Sequence, residues 1–540
     1  MHRDERTFLT AAGPCRIRTG LPLPPQMTIA PAMWHARPMS QRLPRPRIEG
    51  QHLAVSCGHP LAVQAALRVG AAGGNAADAA AAAAAALTVI LPDACGLGGD
   101  LLCIIRKADG TTTAVNGVGK APAGLQLPLP TDGAQVAAVP GFVRGVCDLI
   151  EEAGTLSRAE VLAPALELAR DGAPMTRETE SALLAYVERL SRGGADDSPW
   201  VKARAKGAGT IVKLPETAAT LQAIIDGGAD AFYNGPIAEA IVRAMAREGG
   251  AMSLEDLASH ESVIRPPVAT DYRGVTVLAQ PPSSQAMLLT MALRRLSAEP
   301  ASDASPVAHH RAVEAMTGAF AFRDRITQDG ADAELMALAD SIPIAERASR
   351  VDHAKGYNHT TSVTVADREG TVVSMLISVF DAFGCATWVP EGGFFVNDRL
   401  LSFSRDPESP NAPAGGKRPG HPLAPAMIID GQRIVGISTP SADGQVQALL
   451  QVLLAHLDEG ADLTDATERP RWRVVDDRLH VEHDIDPALR AALVDLGHEV
   501  IDEEPGDSLF GSICASEINL TTGVVSAWAD PRLESWAGAW

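Results

Sequence analysis

Apolar and polar residues alternate from 361 to 366, a turn follows at Asp367-Arg368-Glu369-Gly370, and a second extended run covers 371–379. Period-two alternation on either side of a Gly-bearing turn predicts a β-hairpin. Near the start of the patterned region, residues 52–56 read as a strand and two helices follow. The first covers 60–71, with Pro60 in its first turn and Gly73-Gly74 beyond its end. Asn75 is placed to cap the second, which runs through an alanine block to about residue 91. Alanine on every side lets neighbours approach closely, so this helix is expected at the centre of the body. The segment Cys95-Gly96-Leu97-Gly98-Gly99-Asp100 then enters an apolar strand over 101–106, paired with 111–115 across Asp109-Gly110. From 142 to 350 the periodicity is mostly helical, as over 158–170, 237–247, 285–296 and 309–326, with a turn at Pro281-Pro282-Ser283-Ser284. Further strands are expected at 393–396, 426–429, 433–437 and 524–528, with a helix at 444–457 between them. Strands from two regions, with helices before and after, predict sheets packed together and covered by helices.

Composition narrows the functional classes. The 540 residues carry a formal charge of −20, which repels nucleic acid and anionic membrane at long range. The longest apolar run, 79–92, is mostly alanine and too short to span a bilayer. Residues 1–49 are rich in Arg, Pro and Met and lack an apolar run of signal-peptide length. They read as a disordered extension or as sequence upstream of a true start at Met27, Met33 or Met39. A cytoplasmic location is expected, with the periplasm open to an unusual export route. Seven scattered cysteines without a C-x-x-C pair argue against a disulfide framework and against a cysteine zinc site. The Gly cluster at 96–99 lacks the Lys-Ser/Thr of a phosphate loop and precedes a strand, so nucleotide binding is not expected.

Thr360-Thr361 carries the candidate chemistry. A threonine hydroxyl is a poor nucleophile at neutral pH unless a base takes its proton, and the free α-amine of an N-terminal threonine can serve. That amine has a pKa near 8, close to working pH. The chemistry needs a cut before the threonine, which the residues alone do not establish. Two β-branched residues opening a strand are the plain alternative.

Several motifs raise the first reading. Gly73-Gly74-Asn75-Ala76-Ala77-Asp78-Ala79, Gly96-Leu97-Gly98-Gly99, Val139-Pro140-Gly141, Tyr272-Arg273-Gly274 with Pro281-Pro282-Ser283-Ser284, and Ala321-Phe322-Arg323-Asp324-Arg325 occur in order. Pro470-Arg471-Trp472 and Asp530-Pro531-Arg532 follow. Together they resemble the γ-glutamyltransferase family over about residues 50–535. The resemblance implies an α+β fold, a four-layer αββα sandwich of the N-terminal-nucleophile hydrolase type. It implies self-cleavage between His359 and Thr360, with no metal or organic cofactor. The large part would span 50–359 and the small part 360–540, held together by a shared core. The family nucleophile lies seven residues before the aspartate of a D-x-x-G turn, which here is Asp367 and selects Thr360. Ser378 aligns with a supporting hydroxyl, and Ser441-Ala442 with a Gly-Gly pair whose N–H groups stabilise the oxyanion.

The substrate-reading positions depart from that pattern. The family arginine of R-x-x-A-P falls on Val118, with Lys120 nearby, and its asparagine after the hairpin falls on Phe380. In the segment beginning Asn397-Asp398, a glutamine that helps hold an ammonium becomes Arg399 and an aspartate becomes Ser402. Paired serines become His421-Pro422. An ammonium beside Arg399 would be repelled, whereas a carboxylate would be attracted. The expected substrate is thus a small amide bearing a carboxylate and no nearby ammonium, with Arg399, Ser402, His421 and Asn397 as candidate binding residues and water as acceptor. A true γ-glutamyl transferase acting on glutathione-like compounds and an inactive scaffold remain alternatives.

Overall fold

Alternation becomes a two-sided sheet in the strand Thr361–Asp367. Val363 and Val365 face a core shared with helices, whereas Ala366 meets a second sheet. Neighbouring strands divide in the same way. Val373, Met375 and Ile377 point to the helices and Val372 to the other sheet; Leu53, Val55 and Cys57 point one way and Ala54 the other. Two apolar faces explain why these strands are buried throughout.

The computed structural model describes residues 45–327, 331–349 and 360–540. Residues 1–44 and His359 lie outside the described residues. The first sheet has the order Trp536–Ala539, Leu53–Cys57, Thr361–Asp367, Val372–Ser378, Asp100–Arg106, Thr112–Asn116, Val263–Arg265, antiparallel throughout. The second runs Ile48–Gly50, Val524–Ala529, Cys514–Asn519, Arg433–Ser438, Ala426–Asp430, Val275–Ala279, Val268–Tyr272, also antiparallel. Between them lies an apolar layer that includes Ile104, Leu278, Met427, Ile434 and Ile518. Helices Pro60–Ala71, Ala76–Ile90, Phe142–Ala153 and Arg158–Asp171 pack outside the first sheet. Ala286–Ser297, Pro306–Phe320 and Gln445–Leu457 pack outside the second. This is the expected four-layer αββα sandwich. Both sheets draw strands from before and after residue 360, so the two expected parts form one body. That body starts slightly before residue 50, because Ile48–Gly50 is an edge strand.

The expected hairpin, the central alanine helix and most strands are present. Residues 393–396 differ: Phe394–Phe395 pairs only with Trp388–Val389 in a separate ribbon. Strands at Val263–Arg265 and Val268–Tyr272 lie within a stretch expected to be mostly helical. They are edge strands with exposed positions, broken by Pro266-Pro267, and so lack clean alternation. The strand Cys514–Asn519 is hidden for the opposite reason. Its polar residues are buried and paired, with Ser516 bonded to Thr364 and Glu517 to Arg433. Among the described residues no helix is long and apolar enough to cross a membrane.

Residues 73–79 show how a short motif fixes the centre. Gly73 turns the chain at φ +100°, where a Cβ would be strained. Asn75 caps helix Ala76–Ile90 through the N–H groups of Ala77 and Asp78, and Asp78 returns a bond to the Asn75 N–H. The same buried carboxylate accepts from the N–H and hydroxyl of Thr155 and from the Leu156 N–H. All fifteen residues of the helix are buried. Replacing Asp78 with Ala leaves several donors unmatched in the interior and removes the cap. Urea unfolding of Asp78→Ala is expected to show a loss of about 3 kcal/mol, and a loss below about 0.5 kcal/mol would contradict this account.

Candidate active site

Thr360 immediately precedes the strand Thr361–Asp367, and the hairpin sets what it meets. Thr361 lies opposite Ile377, which places Thr360 beside Ser378. The Thr360 hydroxyl donates to Ser378 Oγ at 3.1 Å, and Ser378 Oγ also accepts the Phe380 N–H at 2.8 Å. Ser378 pairs in turn with Asp100 on the adjacent strand. Side chains alternate across a strand, so Ser378 and Asp100 share a face. The Gly cluster permits this approach: a Cβ on Gly99 would lie 2.4 Å from the Ser378 carbonyl oxygen, and one on Gly98 2.2 Å from that of Phe395.

Asp100 is fully buried and gathers two of the expected binding residues. Arg399 Nε donates to Asp100 Oδ2 at 2.7 Å, and His421 Nε2 lies 3.5 Å from the same oxygen. Burial raises the Asp100 carboxyl, but the Arg399 charge and the His421 bond outweigh it and hold the group below its usual range. Burial, then the Arg399 charge, push His421 down to about 4. The neutral ring accepts the Leu423 N–H at Nδ1, leaving its proton on Nε2 toward Asp100. The Arg399 guanidinium stacks 4.5 Å from the Phe380 ring centre. Its Nη1 and Nη2 have no hydrogen-bond partner among the described residues, although the side chain is 0% exposed.

Asn397 spends its amide on backbone. Nδ2 donates to Gly98 and Ala138 carbonyls, and Oδ1 accepts from Ala138 and Arg399 N–H groups. It therefore orients the segment carrying Arg399. Ser402 is buried with its hydroxyl unpartnered among the described residues. Val118 joins an apolar cluster with Leu102, Leu376 and Leu423, and Lys120 is exposed. Ser441 and Ala442 hold φ of +97° and +42°, conformations natural to glycine and strained by about 1–3 kcal/mol each with a Cβ. Arg473 binds Ser441 Oγ at 2.6 Å, and Gln285 binds the Ala442 carbonyl at 2.8 Å and that of Pro422 at 2.6 Å. The turn is thus locked to the segment bearing His421. Asp100, Phe380 and Arg473 were not singled out from the sequence as site residues. An acid opening an otherwise apolar strand, Asp100–Arg106, was the available signal for the first.

A cavity of about 440 Å³ opens on Thr360, lined also by Gly58, Asp93, Arg177, Tyr186 and Pro440. Arg399, Asp100 and His421 do not line it and are enclosed in the interior. In this continuous chain the Thr360 nitrogen is an amide and cannot act as a base.

The family model described as Gamma-glutamyltranspeptidase matches residues 62–540. The chain belongs to that family. Relatives of this gamma-glutamyltranspeptidase-family chain include the oxamate amidohydrolase proenzyme of Klebsiella pneumoniae, 32% identical over 82% of this chain and 90% of the relative. The acylase ACY 1 proenzyme of Pseudomonas sp. strain SE83 is 31% identical over 84% of this chain and 88% of its own length. The crystal structure of a cephalosporin acylase from Bacillus halodurans superposes with a TM-score of 0.83 at 28% identity, covering 94% of this chain and 99% of that one. The fold is that of N-terminal-nucleophile hydrolases, and the gamma-glutamyltranspeptidase-family chain is an enzyme of the amide-hydrolase and acyl-transfer class.

The buried histidines give this enzyme a defined acid limb. Burial also lowers His59 to about 4 and His260 to about 3. An unfolded histidine titrates near 6.5, so as pH falls below that value the unfolded chain takes up protons that the folded chain refuses. Stability is therefore full above about pH 7 and is lost as pH falls toward 4. Urea midpoints measured across this range are expected to decline, with His421→Gln shallower than wild type by up to about 1.4 kcal/mol per pH unit. An unaltered slope in that variant would remove His421 from the account.

Proposed function

We propose that the chain cuts itself between His359 and Thr360 and that the freed Thr360 attacks the amide of a small carboxylate-bearing substrate. The observation that carries this reading is the Thr360–Ser378–Asp100–Arg399 chain, which joins a hydroxyl at a strand start to a buried guanidinium with two unmatched nitrogens. Cutting turns the Thr360 nitrogen into an amine near pKa 8. The amine takes the Oγ1 proton as Oγ1 bonds to the substrate carbonyl carbon, and the carbonyl electrons move onto oxygen. Backbone N–H groups of Ser441 and Ala442 are the proposed donors to that oxyanion. Collapse expels the leaving amine, which receives the proton, and leaves an ester on Thr360 that water hydrolyses. Ser378 holds the Thr360 hydroxyl in orientation.

Arg399 reads the substrate carboxylate through Nη1 and Nη2, a planar fork suited to a bidentate pair. In the uncut chain this fork is enclosed beneath Phe380, so access to it belongs to the cut form. The relative named oxamate amidohydrolase supports the assignment, because oxamate places a carboxylate beside an amide and carries no ammonium. A glutamyl substrate would bring its ammonium close to the Arg399 charge, which disfavours γ-glutamyl transfer. The glycine-like backbone retained at Ser441-Ala442 weighs against an inactive scaffold.

Denaturing intact-mass measurement on the purified chain is expected to show two pieces, the smaller about 19 kDa and beginning at Thr360. Thr360→Ala is expected to stay whole. A single uncut wild-type chain after prolonged incubation would sink the proposal. With a carboxylate-bearing amide as substrate, Arg399→Ala is expected to raise KM about tenfold to a hundredfold, and an unchanged KM would remove Arg399 as the carboxylate reader.

A further inference from the structure

His310, Glu314 and His498 converge in the helical layer outside the second sheet. His310 and Glu314 are one turn apart on helix Pro306–Phe320 and so lie on the same face. His498 follows helix Pro487–Asp495. All three are buried, and one potential ligand atom from each lies within 4.8 Å of the others. His310 Nδ1 and His498 Nε2 are 2.8 Å apart. His310 Nε2 lies 2.9 Å from the Ala345 carbonyl oxygen, so its proton belongs there and Nδ1 presents the lone pair toward Glu314 and His498. One ring nitrogen directed inward and the other N–H on a backbone carbonyl is the arrangement of a metal-bound imidazole.

Charge points the same way. Glu314 is 2% exposed, and among the described residues its carboxylate accepts one hydrogen bond, from the Ser349 N–H at 3.0 Å. A neutral donor compensates a buried carboxylate poorly, and a ring nitrogen of each imidazole lies within 4.8 Å of it. The imidazole pair can share only one proton along its N···N contact. Moving that proton to His498 Nδ1 turns both facing nitrogens into acceptors without net proton loss.

We propose that His310, Glu314 and His498 form a structural site for a divalent cation of the zinc(II) type. Two imidazole nitrogens and a carboxylate oxygen are a donor set that suits this ion. His310 and Glu314 precede residue 360 and His498 follows it, so the ion ties together the two sides of the proposed cut. It also fixes the backbone of Ala345 and Ser349, which contact His310 and Glu314 shortly before that cut. The second sheet separates this layer from Thr360, and the ion has no part in the reaction. Binding does not depend on cleavage.

The test uses the full chain, as purified wild type and as Thr360→Ala, stripped with chelator and titrated with Zn²⁺ by calorimetry and with Co²⁺ by visible absorption. One ion per chain is expected in both proteins, with d–d bands of a low-coordinate nitrogen-and-oxygen site and a higher Tm when zinc is present. His498→Gln and Glu314→Gln are each expected to weaken binding by about tenfold or more. Absence of saturable one-to-one binding in wild type overturns the site, as does binding that neither substitution weakens. If a variant fails to fold, the wild-type cobalt spectrum decides, and a featureless one overturns the proposal. A chain that does not process leaves this test intact, because the uncut variant is assayed beside it.

Discussion

The candidate site depends on one constraint, the register of the strand Thr361–Asp367 against Val372–Ser378. A slip of one residue would turn Thr360 away from Ser378 and toward the helical core, because side chains alternate. Asp367 fixes that register from the far end of the hairpin. Its Oδ1 accepts the Thr371 N–H at 2.8 Å, which closes the turn, and its Oδ2 accepts the Ala76 N–H at 2.9 Å, which ties the turn to the start of the alanine helix. Thr364, midway along the strand, is bonded to Ser516 of the other sheet. The fixed interval between Thr360 and the D-x-x-G turn thus has a mechanical origin. The turn is an anchor, and the number of residues between decides which side chain emerges beside Ser378.

That view separates motifs that identify the family from residues that do its chemistry. Residues 73–79 build a cap and a turn, and no side chain there lines the cavity at Thr360. Pro281-Pro282-Ser283-Ser284 runs beside His421: the Ser283 carbonyl accepts the His421 N–H, and the Gln285 N–H donates to the His421 carbonyl. Through the Gln285 side chain the same turn reaches Ala442. A segment that looks like loop punctuation therefore positions two separate parts of the site. The Gly cluster acts similarly, since its small residues bring Asp100 against Ser378.

Local pattern carried much of this. Hairpin alternation, helix caps and Gly punctuation located the layers, and the resemblance selected Thr360, Ser378 and Arg399 for attention. Pairings between distant strands could not be read locally. Nothing in residues 100–106 says that their partner is 372–378, so Asp100 could not be placed opposite Ser378 from the sequence. Phe380 was noted only as a lost asparagine, whereas its backbone N–H holds Ser378 and its ring supports Arg399. Edge strands containing proline, and a strand whose polar residues are paired in the interior, escaped because alternation reports burial by apolar groups only.

Two buried arginines differ in how far their hydrogen-bonding groups are matched, which motivates the proposed role of Arg399. Arg532 lies among Asp530, Glu482 and Arg471 with no exposure. Its Nε, Nη1 and Nη2 all find acceptors: the carboxylates of Glu482 and Asp530 and the carbonyls of Thr467 and Arg469. Two arginines face two acids there, so the cluster is balanced in charge, with only Arg471 Nε left unmatched among its described arginine nitrogens. Arg399 is equally buried, yet only its Nε is matched, by Asp100. An interior guanidinium with two unmatched nitrogens is costly, and Arg532 shows the same group fully satisfied. In the proposed reading an anion of the right shape would offset that cost, and the cation–π contact with Phe380 holds the plane oriented.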